Sequence, residues 1–355
     1  MPVKGRVVPA ELPALLLKGS AFELVPHVRG DADSASVFAL ARVLQRLDKR
    51  VTVRHDLPPQ LSWMVPDSDE GFSVARPEDG VADGALTLAL DTGNYARLAL
   101  SRKEREHIGR MVSEHGAESN VAIARWQDVR EIAGVVDHHL SNPGYGRVNW
   151  IVPEASSTGE LLVWLILALE EGTGRGLFDQ EVCWRLFAGI VSDVNWFRRP
   201  ADALAHEAVL LLESRCAIDK EWIASGLETR SEGFFRLGEA LRREFHRDGR
   251  VVWSFLDESS MRECGVHPDE AASLLEELER VSASLFLLFI EVAKGEIRVR
   301  LRGRGVAVIG LARAFGGGGH EFRAGATVHS RAEALRLVQE AAQMFQNAGR
   351  EGADE

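Results

Sequence analysis

Phe22-Glu-Leu-Val-Pro26 runs directly into His27-Val-Arg-Gly-Asp31-Ala-Asp33, and that loop into the amphipathic stretch Ser36–Leu47. A short apolar run of this kind reads as a strand buried on both faces. The helical spacing after it reads as a helix with one apolar stripe. Strand, loop and helix make the first step of an α/β alternation, and the step recurs. Val51–Arg54, Leu86–Leu90, Val121–Ala124 and Ile132–Val136 are further apolar runs, and Ser101–His115 is a further amphipathic stretch. From Glu154 the pattern turns helical over 155–171, 180–191 and 201–214, with the polar, glycine-rich Gly172–Gly176 as a break. The alternation predicts an α/β domain over 1–215, a doubly wound, mostly parallel sheet with helices on both faces.

A smaller α/β domain is expected beyond it, across a cleft. Val251–Leu256, Ser284–Glu291, Ile297–Arg302 and Ala324–His329 read as strands, and Pro268–Arg280 and Ala332–Asn347 as helices. The expected divisions are a linker at 216–232, the second domain at 233–347 and a frayed polar end at 348–355.

Composition narrows the function classes. The chain has 355 residues, 45% hydrophobic and 27% charged, which is the range of soluble globular proteins. Lys and Arg number 42 against 53 Asp and Glu, a net charge of −11. That balance argues against sequence-blind binding to long duplex DNA, which depends on many phosphate contacts. One small anionic substrate in a local basic pocket stays open. Cys183, Cys216 and Cys264 are widely spaced, odd in number and without C-x-x-C, so neither a disulfide framework nor a zinc ribbon is expected. The compartment then reads as a reducing cytoplasm. The longest apolar runs, such as Leu161–Leu169, reach about half a membrane span. With no signal-peptide pattern either, no membrane partner is expected.

The chemistry concentrates at the ends of strands. His27, Asp31 and Asp33 follow the first strand, Asp91 follows Leu86–Leu90, and Asp137-His138-His139 follow Ile132–Val136. Asp193 ends the apolar helical run Cys183–Val191. In an open α/β sheet the carboxyl ends of the strands lie side by side and form the ligand crevice. Singly, each residue has a bland reading: Asp33 can cap the next helix, and Asp91-Thr-Gly-Asn can be a turn. Together, clustered carboxylates repel one another and need compensating positive charge. Carboxylate and imidazole donors without thiolate suit Mn²⁺ or Mg²⁺. There are more donors than one ion needs, so two ions about 3.5–4 Å apart and bridged by a carboxylate are expected.

In the second domain, four consecutive glycines precede His320. Glycine lets backbone amides approach an anion closely. A flexible linker is the alternative, but the ordered pattern on either side argues for a turn. Arg298, Arg300 and Arg302 alternate with apolar residues, which on a strand puts them on one face. That face suits either phosphate binding or a charged sheet edge.

These residues resemble the DHH phosphoesterases over nearly the whole chain. His27-x-x-x-Asp31-x-Asp33 looks like the first motif of that family, Asp91 the second, Asp137-His138-His139 the name-giving triplet and Asp193 the fourth. Asn142-Pro143-Gly144 and Ser156-Ser157-Thr158-Gly159-Glu160 also match it. Gly316–His320 looks like the signature of the DHH-associated C-terminal domain. The resemblance implies a ligand set. His27 and Asp31 would hold one metal, Asp33, His138 and Asp193 the other, and Asp91 both. Asp137 would orient ligands, and His139 would face the scissile phosphate. Arg302, Gly317, Gly318, Gly319 and His320 would bind the nucleotide.

Order and length resemble the stand-alone nano-RNase type. That implies a Mn²⁺-dependent phosphodiesterase, with Mg²⁺ as the alternative ion. It would degrade short oligoribonucleotides to 5′-mononucleotides and remove the 3′-phosphate of pAp in the cytoplasm. A homodimer is compatible with this. The rival readings are a cyclic- or linear-dinucleotide phosphodiesterase and a non-catalytic nucleotide-binding regulator. The intact ligand set speaks against the regulator. The sequence departs from common family patterns at Gly30, Ala32, Val194, Asn195, Arg300 and Arg323, which puts substrate preference in doubt.

Overall fold

The structure, a computed structural model, describes residues 7–28, 30–66, 71–79, 84–104, 106, 107, 110, 131–199 and 201–351. It divides into two compact units, Met1–Thr229 and Arg230–Glu355, each built on its own sheet.

In the first unit, β1 (Ala21–Val25), β2 (Arg50–Arg54), β3 (Ser73–Ala75), β4 (Leu86–Leu90), β5 (Ile132–Asp137) and β6 (Val148–Ile151) form a six-stranded sheet. The order is β3-β2-β1-β4-β5-β6, with every pairing parallel. β1 and β5 bury every residue, which is why they read as unbroken apolar runs. Successive residues serve opposite faces. Phe22 and Leu24 enter the larger core, while Val25 enters a smaller one with Ala89 and Val135.

The larger core is closed by α1 (Glu11–Lys18), α2 (Ser34–Arg46), α3 (Thr158–Thr173) and α4 (Gln180–Asp193), through side chains such as Leu12, Phe38, Leu165 and Leu186. On the other face Tyr95, Leu98 and Tyr145 pack on the sheet. The strand expected at Val121–Ala124 and part of the stretch Ser101–His115 lie outside the described residues. Residues 220–228, expected as linker, form a helix whose Ile223 is buried in the first core.

The order of the strands sets the site. The chain steps from β1 outward to β2 and β3, then returns to lay β4 on the other flank of β1. The carboxyl ends of β1 and β4 are neighbours at the point where the connections diverge, the place where open α/β sheets bind ligands.

One expectation is corrected. Cys183 on α4 and Cys216, just after α5 (Ala203–Arg215), are paired as a disulfide with Cα atoms 6.3 Å apart. Their separation of 33 residues carried no sign of it, because the proximity comes from helix packing alone. The cysteine pattern therefore gives no support to a reducing compartment. No helix among the described residues is long and apolar enough to cross a membrane.

The second unit holds β7 (His246–Asp248), β8 (Val251–Leu256), β9 (Leu285–Ala293), β10 (Glu296–Gly303), β11 (Gly318–His320) and β12 (Arg323–Val328). Their order is β11-β12-β10-β9-β8-β7, antiparallel except for β8 with β9. One face packs on helices Ile309–Ala314 and Arg331–Glu351, the other on Glu232–Arg243 and the segment 258–279. The single helix expected at Pro268–Arg280 is broken into Pro268–Ala271, a tighter turn at Ala272–Leu274, and Leu275–Glu279.

Candidate metal centre

The loops leaving β1, β4 and β5 meet the end of α4 at the switch point. His27 is 6% exposed, Asp91 3% and His138 7%, so these three lie out of bulk water, while Asp31 is exposed at the rim. Asp91 occupies the centre. Its Oδ2 lies 3.7 Å from His27 Nε2, and its Oδ1 lies 3.5 Å from His138 Nε2. His27 Nε2 is also 3.6 Å from Asp31 Oδ2, and His138 Nε2 is 3.4 Å from Asp193 Oδ2. Two groups of possible donors thus share Asp91, one with His27 and Asp31, the other with His138 and His139; the His139 Nδ1 that faces Asp91 at 3.9 Å is itself held by Asp137, and neither group includes Asp33 or Asp193. The gaps exceed a charge-assisted hydrogen bond of about 2.7–2.9 Å and leave room for an ion between the atoms.

The histidines are set for this. Nδ1 of His27 lies 2.9 Å from the Val28 carbonyl, and Nδ1 of His138 lies 3.2 Å from the Ala155 carbonyl. A carbonyl only accepts, so each Nδ1 carries the proton and each Nε2 can offer a lone pair. Asp137, fully buried, ties the triplet together. Its Oδ1 accepts from His139 Nδ1 at 2.7 Å and from the His138 amide at 2.9 Å, and its Oδ2 accepts from Asn142 Nδ2 at 2.6 Å. Asp33 receives the Ser36 hydroxyl at 2.7 Å and the Thr158 amide at 2.9 Å.

Backbone strain marks the same place. Asp91 has φ of 54°, in the left-handed region that non-glycine residues avoid at a cost of about 1–3 kcal/mol. Its amide is pinned to the Val136 carbonyl at 3.0 Å, so the distortion is held by β5. After Asp193, Asn195, Trp196 and Phe197 are left-handed in succession, with φ of 46°, 53° and 58°. Asn195 is one of the positions at which the sequence departs from the family pattern it resembles. The position needs positive φ, and asparagine is among the few residues that tolerate it. The departure therefore keeps the turn that presents Asp193.

Electrostatics shows the demand for positive charge. Burial alone would push His27 and His138 down. Asp31 and Asp91 outweigh it at His27, which is held up at about 9. Asp91 and Asp193 do the same at His138, held at about 10. Burial, with Asp91 and Asp193 nearby, raises Asp33 well above the usual carboxylate range. Protons on the imidazoles compensate the acids here, and divalent cations would replace them.

In the second unit, β10 turns Ile297, Val299 and Leu301 into the core and Arg298, Arg300 and Arg302 to the other face, as the alternation predicts. Arg298 is committed to Asp269 at 3.2 Å. Arg302 pairs across the sheet with Arg323, and Arg323 with His320. The glycine run, expected as a turn, continues into the edge strand β11. A Cβ at Gly317 would stand 2.1 Å from the Gly325 carbonyl, and one at Gly319 2.5 Å from the Arg323 carbonyl. Glycine is needed there for the strand to pair at all.

Comparison with known proteins agrees with this geometry. Residues 248–347 match the DHHA1 domain model. The bifunctional oligoribonuclease and PAP phosphatase NrnA of Bacillus subtilis is 24% identical over 322 residues, 88% of this chain and 90% of that protein. Its namesake from Thermus thermophilus is 26% identical over 320 residues, 86% of this chain and 83% of the relative. Among solved structures, an exopolyphosphatase-related protein from Bacteroides fragilis superposes with a TM-score of 0.75 at 19% identity, covering 95% of this chain and 96% of the other, which supports the fold. These matches support a place in the DHH phosphoesterase superfamily. Within it the chain is NrnA-like.

Sequence reasoning assigned no role to Ser36, Asn142 or Thr158, which hold the donors rather than serve as donors. The signal for Thr158 was present: Ser157-x-x-Glu160 is a helix-entry pattern, and Ser157 does cap α3.

Proposed function

We propose that this protein is a two-metal phosphodiesterase that degrades short oligoribonucleotides to 5′-mononucleotides and removes the 3′-phosphate of pAp. What supports the reading above all is Asp91, whose two oxygens face two separate donor sets. The NrnA relatives, similar over most of their length, carry both activities in their names. Cytoplasmic RNA turnover supplies such fragments.

The oxygen and nitrogen donors fit hard or borderline divalent ions, with Mn²⁺ as the expected occupant and Mg²⁺ as the alternative. His27 and Asp31 would hold one ion, Asp33, His138 and Asp193 the other, and Asp91 both. When bound, such a pair supplies an activated water and charge neutralisation at the phosphoryl oxygens. Asp137 holds the His139 ring at Nδ1, which would leave Nε2 for the substrate. There a doubly protonated His139 would donate from Nε2 to a phosphoryl oxygen as charge develops. Arg302, His320 and the amides of Gly317–Gly319 would hold the terminal nucleotide, with guanidinium on phosphate.

The test is a substrate panel with added Mn²⁺: an RNA dinucleotide, a 24-mer RNA, pAp, and linear and cyclic dinucleotides of adenosine. Release of 5′-mononucleotides from the RNA dinucleotide and AMP from pAp is expected. Turnover confined to the cyclic dinucleotide would replace this reading with its rival.

A further inference from the structure

The turn Ala155-Ser-Ser-Thr-Gly159 leads into α3 and supplies none of the proposed ligands, yet it touches one from each of β1, β4 and β5. The Ala155 carbonyl faces His138 Nδ1 at 3.2 Å. The Thr158 hydroxyl donates to Asp91 Oδ1 at 3.0 Å. The amides of Thr158 and Gly159 donate to the Asp33 carboxylate at 2.9 and 3.2 Å.

The turn is itself fixed. Ser157 Oγ accepts from the Glu160 amide at 3.0 Å, the Ser156 amide donates to Glu160 Oε2 at 3.0 Å, and the Asp202 amide donates to Ser156 Oγ at 3.0 Å. Ser157, Thr158 and Glu160 are fully buried, so water does not compete for these bonds. Gly159 completes the fit, because a Cβ there would stand 2.9 Å from Asp33 Oδ1 and 2.5 Å from Ser36 Oγ.

A carboxylate oxygen has two lone-pair sites. At Asp91 Oδ1 the Thr158 hydroxyl takes one and leaves the other toward His138. That choice sets the rotation of the carboxylate, and so whether Oδ2 can face His27 at the same time. We propose that Thr158 is a positioning residue of the centre: its hydroxyl holds Asp91 in the bridging orientation while its amide holds Asp33, so one rigid turn sets the geometry of both ion positions. The inference rests on the two-ion reading above. Lost partners of metal ligands typically cost about 10–100-fold in metal affinity or activity.

The experiment compares wild type, Thr158→Val and Thr158→Ser as full chains stripped of metal by chelation. Mn²⁺ is titrated calorimetrically, the spin coupling of the loaded pair is read by electron paramagnetic resonance, and kcat and KM are measured separately on an RNA dinucleotide. T158V should bind Mn²⁺ about 10–100-fold more weakly, show altered coupling and lose kcat with little change in KM. T158S, which restores the hydroxyl, should recover all three. Wild-type affinity and coupling in T158V would overturn the positioning role, as would failure of T158S to recover. Should circular dichroism show T158V unfolded, T158A removes the same hydroxyl without added bulk and is read by the same criteria. Wild-type protein that takes up fewer than two Mn²⁺ would instead defeat the two-ion reading, so the two failures are distinct.

Discussion

Asp137 Oδ1 accepts from His139 Nδ1 at 2.7 Å, a buried carboxylate holding a largely buried imidazole ring. Asp137→Asn keeps the shape but removes the negative charge that would support a doubly protonated His139. Turnover should fall about 10–100-fold while both ions stay bound, as second-layer partners of metal sites typically show. Steady-state kinetics with elemental analysis checks this. Unchanged kcat would remove His139 from the phosphate.

Asp91→Ala should abolish hydrolysis and lower the metal content, because one carboxylate faces both donor sets. Retention of more than about a tenth of wild-type activity would mean that the pair does not depend on a bridge.

Arg302→Ala should raise KM and leave Mn²⁺ content unchanged, since Arg302 belongs to the second sheet and is no ligand. Metal loss in this variant, read by elemental analysis, would contradict that division of labour.

Short RNAs should be preferred. A long strand needs a basic track with stacking aromatics, whereas this chain is net −11 with only two tyrosines. At fixed Mn²⁺ and salt, kcat/KM on a 5′-labelled dinucleotide should exceed that on a 24-mer. Equal or faster turnover of the 24-mer would point to a processive nuclease.

Metal-free protein should lose stability in alkali. His27 and His138 are held up at about 9 and about 10, above the usual imidazole value near 6.5. A raised folded value stabilises fully below about 6.5, and that contribution is lost as pH rises through the folded values. The Tm of chelator-treated protein should therefore fall between about pH 7 and 10, more steeply than that of Mn²⁺-loaded protein, whose imidazoles are already deprotonated. Parallel curves would mean these imidazoles are not protonated in the metal-free fold.

Much of this was legible in the sequence because burial on both faces leaves unbroken apolar runs. β4 and β8 coincide with the runs Leu86–Leu90 and Val251–Leu256. β3 is three residues long with an exposed Ser73, and β6 carries the exposed Asn149, so neither has a run to read. The donors stood out because acids and histidines after apolar strands are conspicuous. Thr158, Ser36 and Asn142 were not, because hydroxyls and amides at helix entries and turns occur everywhere. The Cys183–Cys216 pairing was invisible because it depends on helix packing that leaves no local pattern.

The donor side chains come from β1, β4, β5 and α4, and positions 27 to 193 are brought together by the strand order β3-β2-β1-β4-β5-β6. No short peptide of this chain contains even one complete donor set that includes Asp91. A metal pair held there could therefore not act as a template for early folding in the way zinc organises a small finger. They would arrive only after β4 has docked beside β1. Uptake of the pair during refolding should trail the recovery of the parallel sheet, which makes the ions a clock for the last stage of assembly.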